Sequence, residues 1–455
     1  MKKTILLLYT FMLMVGSTQA QPKHAEPYLM EIVANARKKN VSDIERFKAL
    51  TAFVNLWHSF SPPDTTIKLI NELLILNIKI HASDPKPYLL MIEGQRYLKY
   101  NKPDSALMKF REMIEEFDKS RHIFLSNSYL FSIRTLFDRL GRKEDRLKYY
   151  NSKLQGYLQH GPKENTATCY NTIGGYYALR SDHNQSLTYY FKALDVYRTF
   201  STVGYESMMM TLIGNEYLNW GNLERATRFL QMADSLGKRD HDSIRCQSCW
   251  AKLAIISDRQ GRYQEALNRV DSGLMYGFRG YWIESVAVLY STAVSVNLKL
   301  HKTDEAYRYL VILKKLVDGV NMAVETAQGS VEIDYLFYQY YLQKNDPRRA
   351  EQSLLRAYQK SDSIRSWTLS LKYQKELFLF YKNTPTPSKA LSYATAFFQL
   401  SDSLSLNKNK NAVAQYETEL AEKQREAEIQ NLKIKRSQQQ WNYLTGGVFM
   451  LLIII

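Results

Sequence analysis

The sequence predicts an all-α chain: an α-solenoid of about nine helix pairs, followed by a long helix and the start of a transmembrane helix. Three observations predict this fold. The motif Ile-Gly-x-x-Tyr begins at Ile173 and again 40 residues later at Ile213. Glycine and proline supply only 19 and 11 of the 455 residues, which disfavours a turn-rich β architecture. Hydrophobic residues make up 45% of the chain, enough to form a core along its length.

Residues 1–20 are predicted to be a cleaved signal peptide. Lys2 and Lys3 precede an apolar stretch, and small residues lead to Ala20, where cleavage is expected. We therefore expect an exported, periplasmic protein whose mature chain opens with a capping helix over residues 21–46. The alternative is an uncleaved N-terminal anchor.

Residues 47–405 are predicted to form the repeat solenoid. In the second half of each repeat, small and large apolar residues also recur at 40-residue spacing: Ser186, Tyr190 and Ala193, then Ala226, Leu230 and Ala233. The pattern resembles the tetratricopeptide repeat, a helix pair whose period is usually about 34 residues. In that family, small residues such as Gly174, Gly214, Ala226 and Ala266 let the two helices of a pair approach closely.

The resemblance implies pairs that begin near residues 47, 87, 127, 167, 207, 247, 287, 331 and 371. Asn101, Gly221, Gly261 and Asn345 fall at the turn between the two helices of a pair. The register shifts by four residues around Gly319 to Gln328. We interpret this shift as an insertion between the seventh and eighth pairs.

Residues 406–440 form a charged segment without glycine or proline, predicted to be a helical stalk. Val413, Leu420, Ala427 and Ile434 lie seven residues apart, as in a coiled-coil seam. The intervening seam positions are mostly polar, so a long solvated helix and a homodimeric coiled coil both remain open.

Residues 441–455 are predicted to be the truncated start of a transmembrane helix. Trp441 and Tyr443 precede an uncharged apolar run that ends at Ile455. Twelve residues of helix reach only about 18 Å, short of the roughly 30 Å of a bilayer core. The alternative is an apolar tail that packs on the solenoid.

This plan resembles the periplasmic sensory halves of Bacteroidetes membrane-bound signalling regulators, whose output is a histidine kinase or a helix-turn-helix domain. The resemblance implies a membrane-tethered periplasmic domain that binds a ligand or protein and serves as the sensing part of a signal-transduction receptor. It also implies anchoring in the inner membrane by the C-terminal helix. No output domain is present in this chain. The alternative function is a non-signalling envelope scaffold for protein–protein interaction.

The sequence contains no phosphate-binding loop, dinucleotide fingerprint, nucleophile elbow or zincin motif. We therefore expect no enzyme activity, no catalytic residues and no cofactor. The formal charge is +16, but the basic residues are spread along the chain. Because an exported protein meets no nucleic acid, we expect no nucleic-acid partner.

Cys246 and Cys249 form a Cys-x-x-Cys pair, and the chain has three cysteines in all. A local disulfide between them is one prediction for an oxidising compartment. Zinc bound with His241 and Asp242 is an alternative, but a second cysteine pair is missing, so we expect no metal. Two unlinked thiols are the third interpretation.

The resemblance also implies a ligand groove on the inner face of the first helices, at the fifth and ninth positions of each repeat. The candidate binding residues there are Asn171, Thr211, Asn215, Ser291 and Ser295, with Gly175, Ala251 and Ile255 between them. The lysines of the family's carboxylate clamp are missing. Neutral amides and hydroxyls suit a peptide, protein or glycan ligand, and a merely solvated groove is the alternative.

Overall fold

The computed structural model describes residues 38, 40–57, 63–119, 123–199, 204–276, 283–320, 322, 324–326, 329–364, 366–382, 384 and 388–402. The segments predicted as signal peptide, stalk and transmembrane start lie outside these residues, as does most of the predicted capping helix. The chain divides into two compact units, Met1–Ala394 and Thr395–Ile455. The account below concerns the first unit, except that its last helix runs on into the second.

The described residues form nine helix pairs in sequence, as predicted. The helices are α1 (Asp43–Trp57), α2 (Pro63–Lys79), α3 (Lys86–Lys99), α4 (Pro103–Lys119), α5 (Ile123–Ser132), α6 (Arg134–Arg139), α7 (Lys143–His160), α8 (Lys163–Ala178), α9 (His183–Tyr197), α10 (Tyr205–Trp220), α11 (Leu223–Arg239), α12 (Ser243–Arg259), α13 (Tyr263–Leu274), α14 (Ile283–Lys299), α15 (Thr303–Val320), α16 (Ile333–Gln343), α17 (Pro347–Ser363), α18 (Trp367–Lys382) and α19 (388–402). In the third pair, α5 and α6 together are the first helix and α7 is the second.

The turn inside the second to eighth pairs is built on a residue with left-handed backbone, and from the second to the seventh pair this residue recurs every 40 positions. Positive φ occurs at Asn101 (53°), Gly141 (69°), Ser181 (56°), Gly221 (91°), Gly261 (74°) and His301 (57°). The amide after each such residue closes the helix end, as where Asn222 N donates to the Tyr217 carbonyl at 2.9 Å. The next such residue, Asn345 (φ 54°), follows His301 by 44 positions, which confirms the predicted four-residue insertion.

Small residues lie where the two helices of a pair touch. A Cβ atom added to Gly174 would lie 2.6 Å from Tyr190 Cδ1, and one added to Gly214 would lie 2.8 Å from Leu230 Cγ. Such distances leave no room for a side chain, so glycine is required by close approach. Ala226 is fully buried at the start of the second helix of its pair. The predicted contact positions are therefore confirmed.

The first helix of the third pair is broken between Ser132 and Arg134. Side chains replace the missing backbone donors at the break. Arg134 Nη1 donates to the Phe131 carbonyl at 2.6 Å, and Thr135 Oγ1 donates to the Ser132 carbonyl at 2.8 Å. The buried Tyr150 hydroxyl donates to the carbonyl of the residue before Phe131. The break is therefore a hydrogen-bonded part of the fold, because the carbonyls that it frees find new donors.

The insertion forms a small β-hairpin, which the all-α prediction lacked. Strands β1 (Glu325–Thr326) and β2 (Gly329–Ser330) pair antiparallel, with Glu325 opposite Ser330 and Thr326 opposite Gly329. The hairpin precedes α16, the short first helix of the eighth pair. Within the described ranges, the helical repeat is thus interrupted once by extended chain.

The prediction of inner-membrane anchoring is wrong on the evidence of the described helices. Among them, no helix is both long enough and apolar enough to cross a bilayer. The two longest, α7 and α15, have 18 residues each, and their sequences carry six charged side chains apiece. Residues 441–455, to which the anchor was assigned, lie outside the described residues.

Candidate functional site

The predicted groove residues lie on consecutive first helices of the repeat. Helix α8 carries Asn171 and Gly175, α10 carries Thr211 and Asn215, α12 carries Ala251 and Ile255, and α14 carries Ser291 and Ser295. Helix α10 contacts α12, and α12 contacts α14, so these three first helices form a continuous layer. We call the surface formed by these eight residues the first-helix face.

The face is more deeply buried than the sequence suggested. Asn171 and Thr211 are each only 4% exposed, whereas Asn215, Ser291 and Ser295 are half-buried. The fifth repeat position is therefore buried in α8 and α10 but half-buried in α14. The ninth position is half-buried in α10 and α14. Whether any of these residues binds a ligand remains a prediction.

Two of the predicted hydroxyls already have partners within the fold. Thr211 Oγ1 donates to the Ser207 carbonyl of its own helix at 2.8 Å. Ser295 Oγ donates to Asp258 Oδ2 at 3.2 Å, from α14 to α12. Both hydroxyls stabilise the helix layer, so they have less capacity to bind an external ligand.

Asn171 differs from these residues, because its amide donor is unused. Within the described residues, Asn171 Nδ2 is buried and has no hydrogen-bond partner. A buried polar atom in this state costs about 1–3 kcal/mol of stability. One turn later, a Cβ placed on Gly175 would be in van der Waals contact, 3.5 Å from Arg146 Nη2 and 3.7 Å from the Tyr190 hydroxyl. The unused donor of Asn171 thus lies one turn from a glycine that borders Arg146 and Tyr190.

Arg146 of α7 borders this part of the face. Its side chain is 3% exposed, and its Nη1 atom lies 2.7 Å from Asp138 Oδ2. Its Nη2 atom donates to the Thr172 carbonyl of α8 at 2.9 Å, and its Nε atom has no partner within the described residues. The guanidinium therefore joins the third and fourth pairs beside Asn171.

A second arginine, Arg134, lies close to Arg146. Burial, and then the charge of Arg146, lowers the pKa of the Arg134 guanidinium to about 10. The carboxylate of Asp138 interacts with both arginines, and the carboxylate of Glu216 acts with them on the Tyr190 hydroxyl. Cations and carboxylates thus lie together at this part of the face.

The repeat pattern of the sequence marks this pair of arginines. Arg134 stands 40 residues before Gly174, and Arg146 stands 40 residues before Ser186. In the third pair, arginine thus replaces the small residue at both contact positions. Charged residues at positions that the repeat keeps small can mark a modified pair.

The Cys-x-x-Cys pair lies on α12, and its two thiols have different neighbours. Cys246 Sγ lies 3.6 Å from the Asp234 carbonyl, and Cys249 Sγ lies 3.7 Å from Thr211 Oγ1. Both cysteines are buried free thiols, and the predicted disulfide is not formed in the structure. No cluster of three or more His, Cys, Asp or Glu side chains suited to a metal ion occurs among the described residues.

Two buried cations also lie on α12. Arg245 is 1% exposed and Lys252 is 2% exposed. Burial lowers the pKa of the Lys252 ammonium to about 8, and Arg245 adds to this effect. Nothing in the sequence pattern marked these residues, because lysine and arginine in a helix are usually solvated.

Known proteins resemble this chain only weakly in sequence and in structure. No protein-family model matches the chain, and no curated protein matches it. Similar solved structures include aspartyl phosphate phosphatase F of Bacillus subtilis (13% identity, TM-score 0.44, covering 88% of this chain and 93% of that one). Another is a tetratricopeptide repeat protein of Parabacteroides merdae (16%, 0.43, covering 63% and 98%). A third is a signal transduction ATPase with a tetratricopeptide repeat sensor from Pyrococcus horikoshii (13%, 0.49, covering 78% and 55%).

These identities and TM-scores are low. The assignment of a tetratricopeptide-like fold therefore rests on the helix pairs, turns and contact positions of the chain itself. The resemblance to sensory halves of Bacteroidetes regulators has no matching family behind it and remains a prediction.

Proposed function

We propose that this chain is a peptide-binding helical repeat whose ligand lies on the first-helix face and is centred on Asn171. The observation that carries the proposal is the buried Asn171 Nδ2 donor, which has no partner within the described residues. A carbonyl group of a bound peptide would supply the missing acceptor. The ligand would thereby remove an unfavourable feature of the free protein.

The surroundings favour an extended peptide with an acidic residue. Gly175 has no side chain of its own between α8 and a ligand backbone. Arg134 and Arg146 supply two guanidinium groups at this end of the face, which suit an aspartate or glutamate side chain. A glycan hydroxyl could also accept from Asn171, but it would not use the charge of the two arginines.

The proposal is tested by replacing Asn171 with leucine, which has the same branching and number of heavy atoms but no amide. Peptides are first selected from a library against the unchanged protein, and their affinities are then measured for the variant. We expect Asn171→Leu to weaken binding about tenfold or more, the equivalent of one good hydrogen bond. Loss of the Nδ2 donor should not itself lower the unfolding midpoint, because this donor made no bond in the free protein.

The matched control is Asn219→Leu, at an exposed asparagine of α10. This variant should keep the full affinity. If Asn171→Leu and Asn219→Leu bind the selected peptides equally well, the ligand does not use Asn171 and the proposal fails. Selection of glycans instead of peptides would overturn the ligand class.

We further propose a sensing role for the chain, as the sequence predicts, with a non-signalling scaffold as the alternative. A sensor must change conformation when it binds its ligand, whereas a scaffold need not. Hydrogen exchange of the helices with and without a selected peptide separates the two. Altered protection in repeats that do not touch the peptide supports sensing, and protection limited to the contact site supports the scaffold.

A further inference from the structure

The hairpin between the seventh and eighth pairs is a closed unit of extended chain. Thr326 Oγ1 donates to the Gly329 carbonyl at 2.7 Å, and Val331 N donates to the Val324 carbonyl at 2.7 Å. The first bond lies at the turn end of the hairpin, and the second extends the pairing of β1 with β2 at its base. The described residues of the hairpin, 324–326 and 329–331, thus have hydrogen bonds of their own and pack on a surface of the repeat.

That surface is the first-helix face. A Cβ atom added to Gly329 would lie 3.3 Å from Ile255 Cδ1 and 3.4 Å from Val288 Cγ2. Ile255 is one of the predicted groove positions of α12, and Val288 lies one turn before Ser291 on α14. The hairpin therefore contacts α12 at Ile255, the register of Gly175 on α8, and α14 at Val288, one turn before the register of Asn171.

The hairpin contacts the repeat through a glycine and an aliphatic side chain. Val331 is 2% exposed and belongs to the same buried apolar cluster as Ala251 and Val288. Gly329 has φ of +144°, a conformation that glycine adopts readily and other residues do not. Its lack of a side chain also lets the backbone approach Ile255. Residues two apart on an extended segment point to the same side, so glycine and valine reach the face together.

We propose that Ile255 and Val288 form a docking surface for extended peptides with glycine followed two residues later by a β-branched aliphatic residue. The hairpin 324–331 is its intramolecular occupant, and an incoming peptide of this pattern exchanges with it. The inference extends the proposed function from α8 to α12 and α14. Its test needs neither Asn171 nor a natural ligand.

The test uses the reactivity of a cysteine placed under the hairpin. Ile255→Cys puts a thiol beneath Gly329, and Asn215→Cys puts one at the equivalent register of the preceding repeat. The native cysteines are at most 1% exposed, so the unchanged protein serves as the blank. We expect the thiol of Ile255→Cys to react about tenfold more slowly than that of Asn215→Cys.

Gly329→Val should then displace the hairpin. A β-branched residue is strained at this φ, and its side chain would crowd Ile255. Added to Ile255→Cys, it should raise the labelling rate to that of Asn215→Cys. Replacing residues 325–330 with a glycine–serine linker should have the same effect, and circular dichroism checks that both proteins remain folded. An unchanged rate in both folded proteins overturns the hairpin contact.

Recognition is tested on the displaced protein with a synthetic peptide of residues 324–331. A tethered segment has an effective concentration in the millimolar range, so the free peptide is added at about 1 mM or more. We expect it to slow labelling at position 255 again, whereas the same peptide with aspartate in place of Val331 should not. If neither peptide slows labelling, or both do, the proposed pattern is wrong. Adding Asn171→Leu should leave these rates unchanged, so a failure here is distinct from a failure of the α8 site.

Discussion

The Nη2 atom of Arg146 donates a 2.9 Å hydrogen bond to the main-chain carbonyl of Thr172, from the second helix of one pair to the first helix of the next. The equivalent position of other pairs holds Ala106, Ser186 or Ala226, which are small and fully buried. An arginine at this position cannot give the same close helix contact. It instead reaches the following pair and stabilises the junction between them.

Replacing Arg146 with methionine should therefore destabilise the protein by about 2–3 kcal/mol. The variant loses hydrogen bonds from a buried charged donor to Asp138 and to the Thr172 carbonyl. Chemical denaturation measures the loss as a lower midpoint. Arg142→Met is the control, because Arg142 and its partner Asp104 are both about half exposed, and exposed pairs contribute about 0–1 kcal/mol. Equal midpoints for the two variants would contradict a structural role for Arg146.

Close helix contact elsewhere in the repeat leads to a second prediction. Ala226 is fully buried where α11 begins to pack on α10, so Ala226→Leu should cost about 1–3 kcal/mol through overpacking. Gln231→Leu, at an exposed position of the same helix, should cost almost nothing. If the two variants unfold at the same denaturant concentration, the contact register of the repeat is wrong.

The cysteines give a third prediction. Burial raises the pKa of the Cys246 thiol to about 12 and that of the Cys249 thiol to about 11, so neither should react in the folded protein at neutral pH. After denaturation without reductant, a thiol reagent should titrate three groups, counting Cys169. One titrated thiol would instead show that the Cys246–Cys249 disulfide forms in an oxidising compartment.

The sequence predicted the repeat well, because its signals are local. Gly221 and Gly261 marked turns that need positive φ, and Gly174 marked a close contact, and each requires a particular residue type at one position. At the hairpin around Gly329 the sequence showed only a four-residue shift in register. Its two strands have two residues each, which is too short to show an alternating pattern.

The candidate site was harder to predict than the fold. The 40-residue period correctly placed Asn171 and Thr211 on first helices. It did not predict how deeply they are buried, because burial depends on how closely neighbouring helices pack. It also could not show that Thr211 bonds to its own helix while Asn171 Nδ2 has no partner in the described part of the chain. Those differences arise from side-chain placement and not from repeat register.

Lys252 gives the last prediction, a dependence of stability on pH. Burial lowers its pKa to about 8, and Arg245 adds to that effect, while Cys249 and Glu284 oppose it. In the unfolded chain a lysine titrates near 10.4. Between these two values the unfolded state binds more protons than the folded state, so stability should rise with pH. Below about pH 8 both states are protonated, and the folded protein bears the full cost of the buried charge.

Lys252→Met removes the charge and keeps a long apolar side chain. At pH 7 it should be more stable than the unchanged protein by on the order of 2–3 kcal/mol, and the gap should narrow from about pH 8 to 9.5. Denaturation midpoints across this range measure it, and tyrosine ionisation, which begins within the range, affects both proteins alike. Lys315→Met, at an exposed position of α15, should follow the unchanged protein at every pH. A Lys252→Met protein whose stability runs parallel to that of the unchanged chain would mean that Lys252 keeps an ordinary pKa, and that its ammonium is solvated or fully paired in the folded state.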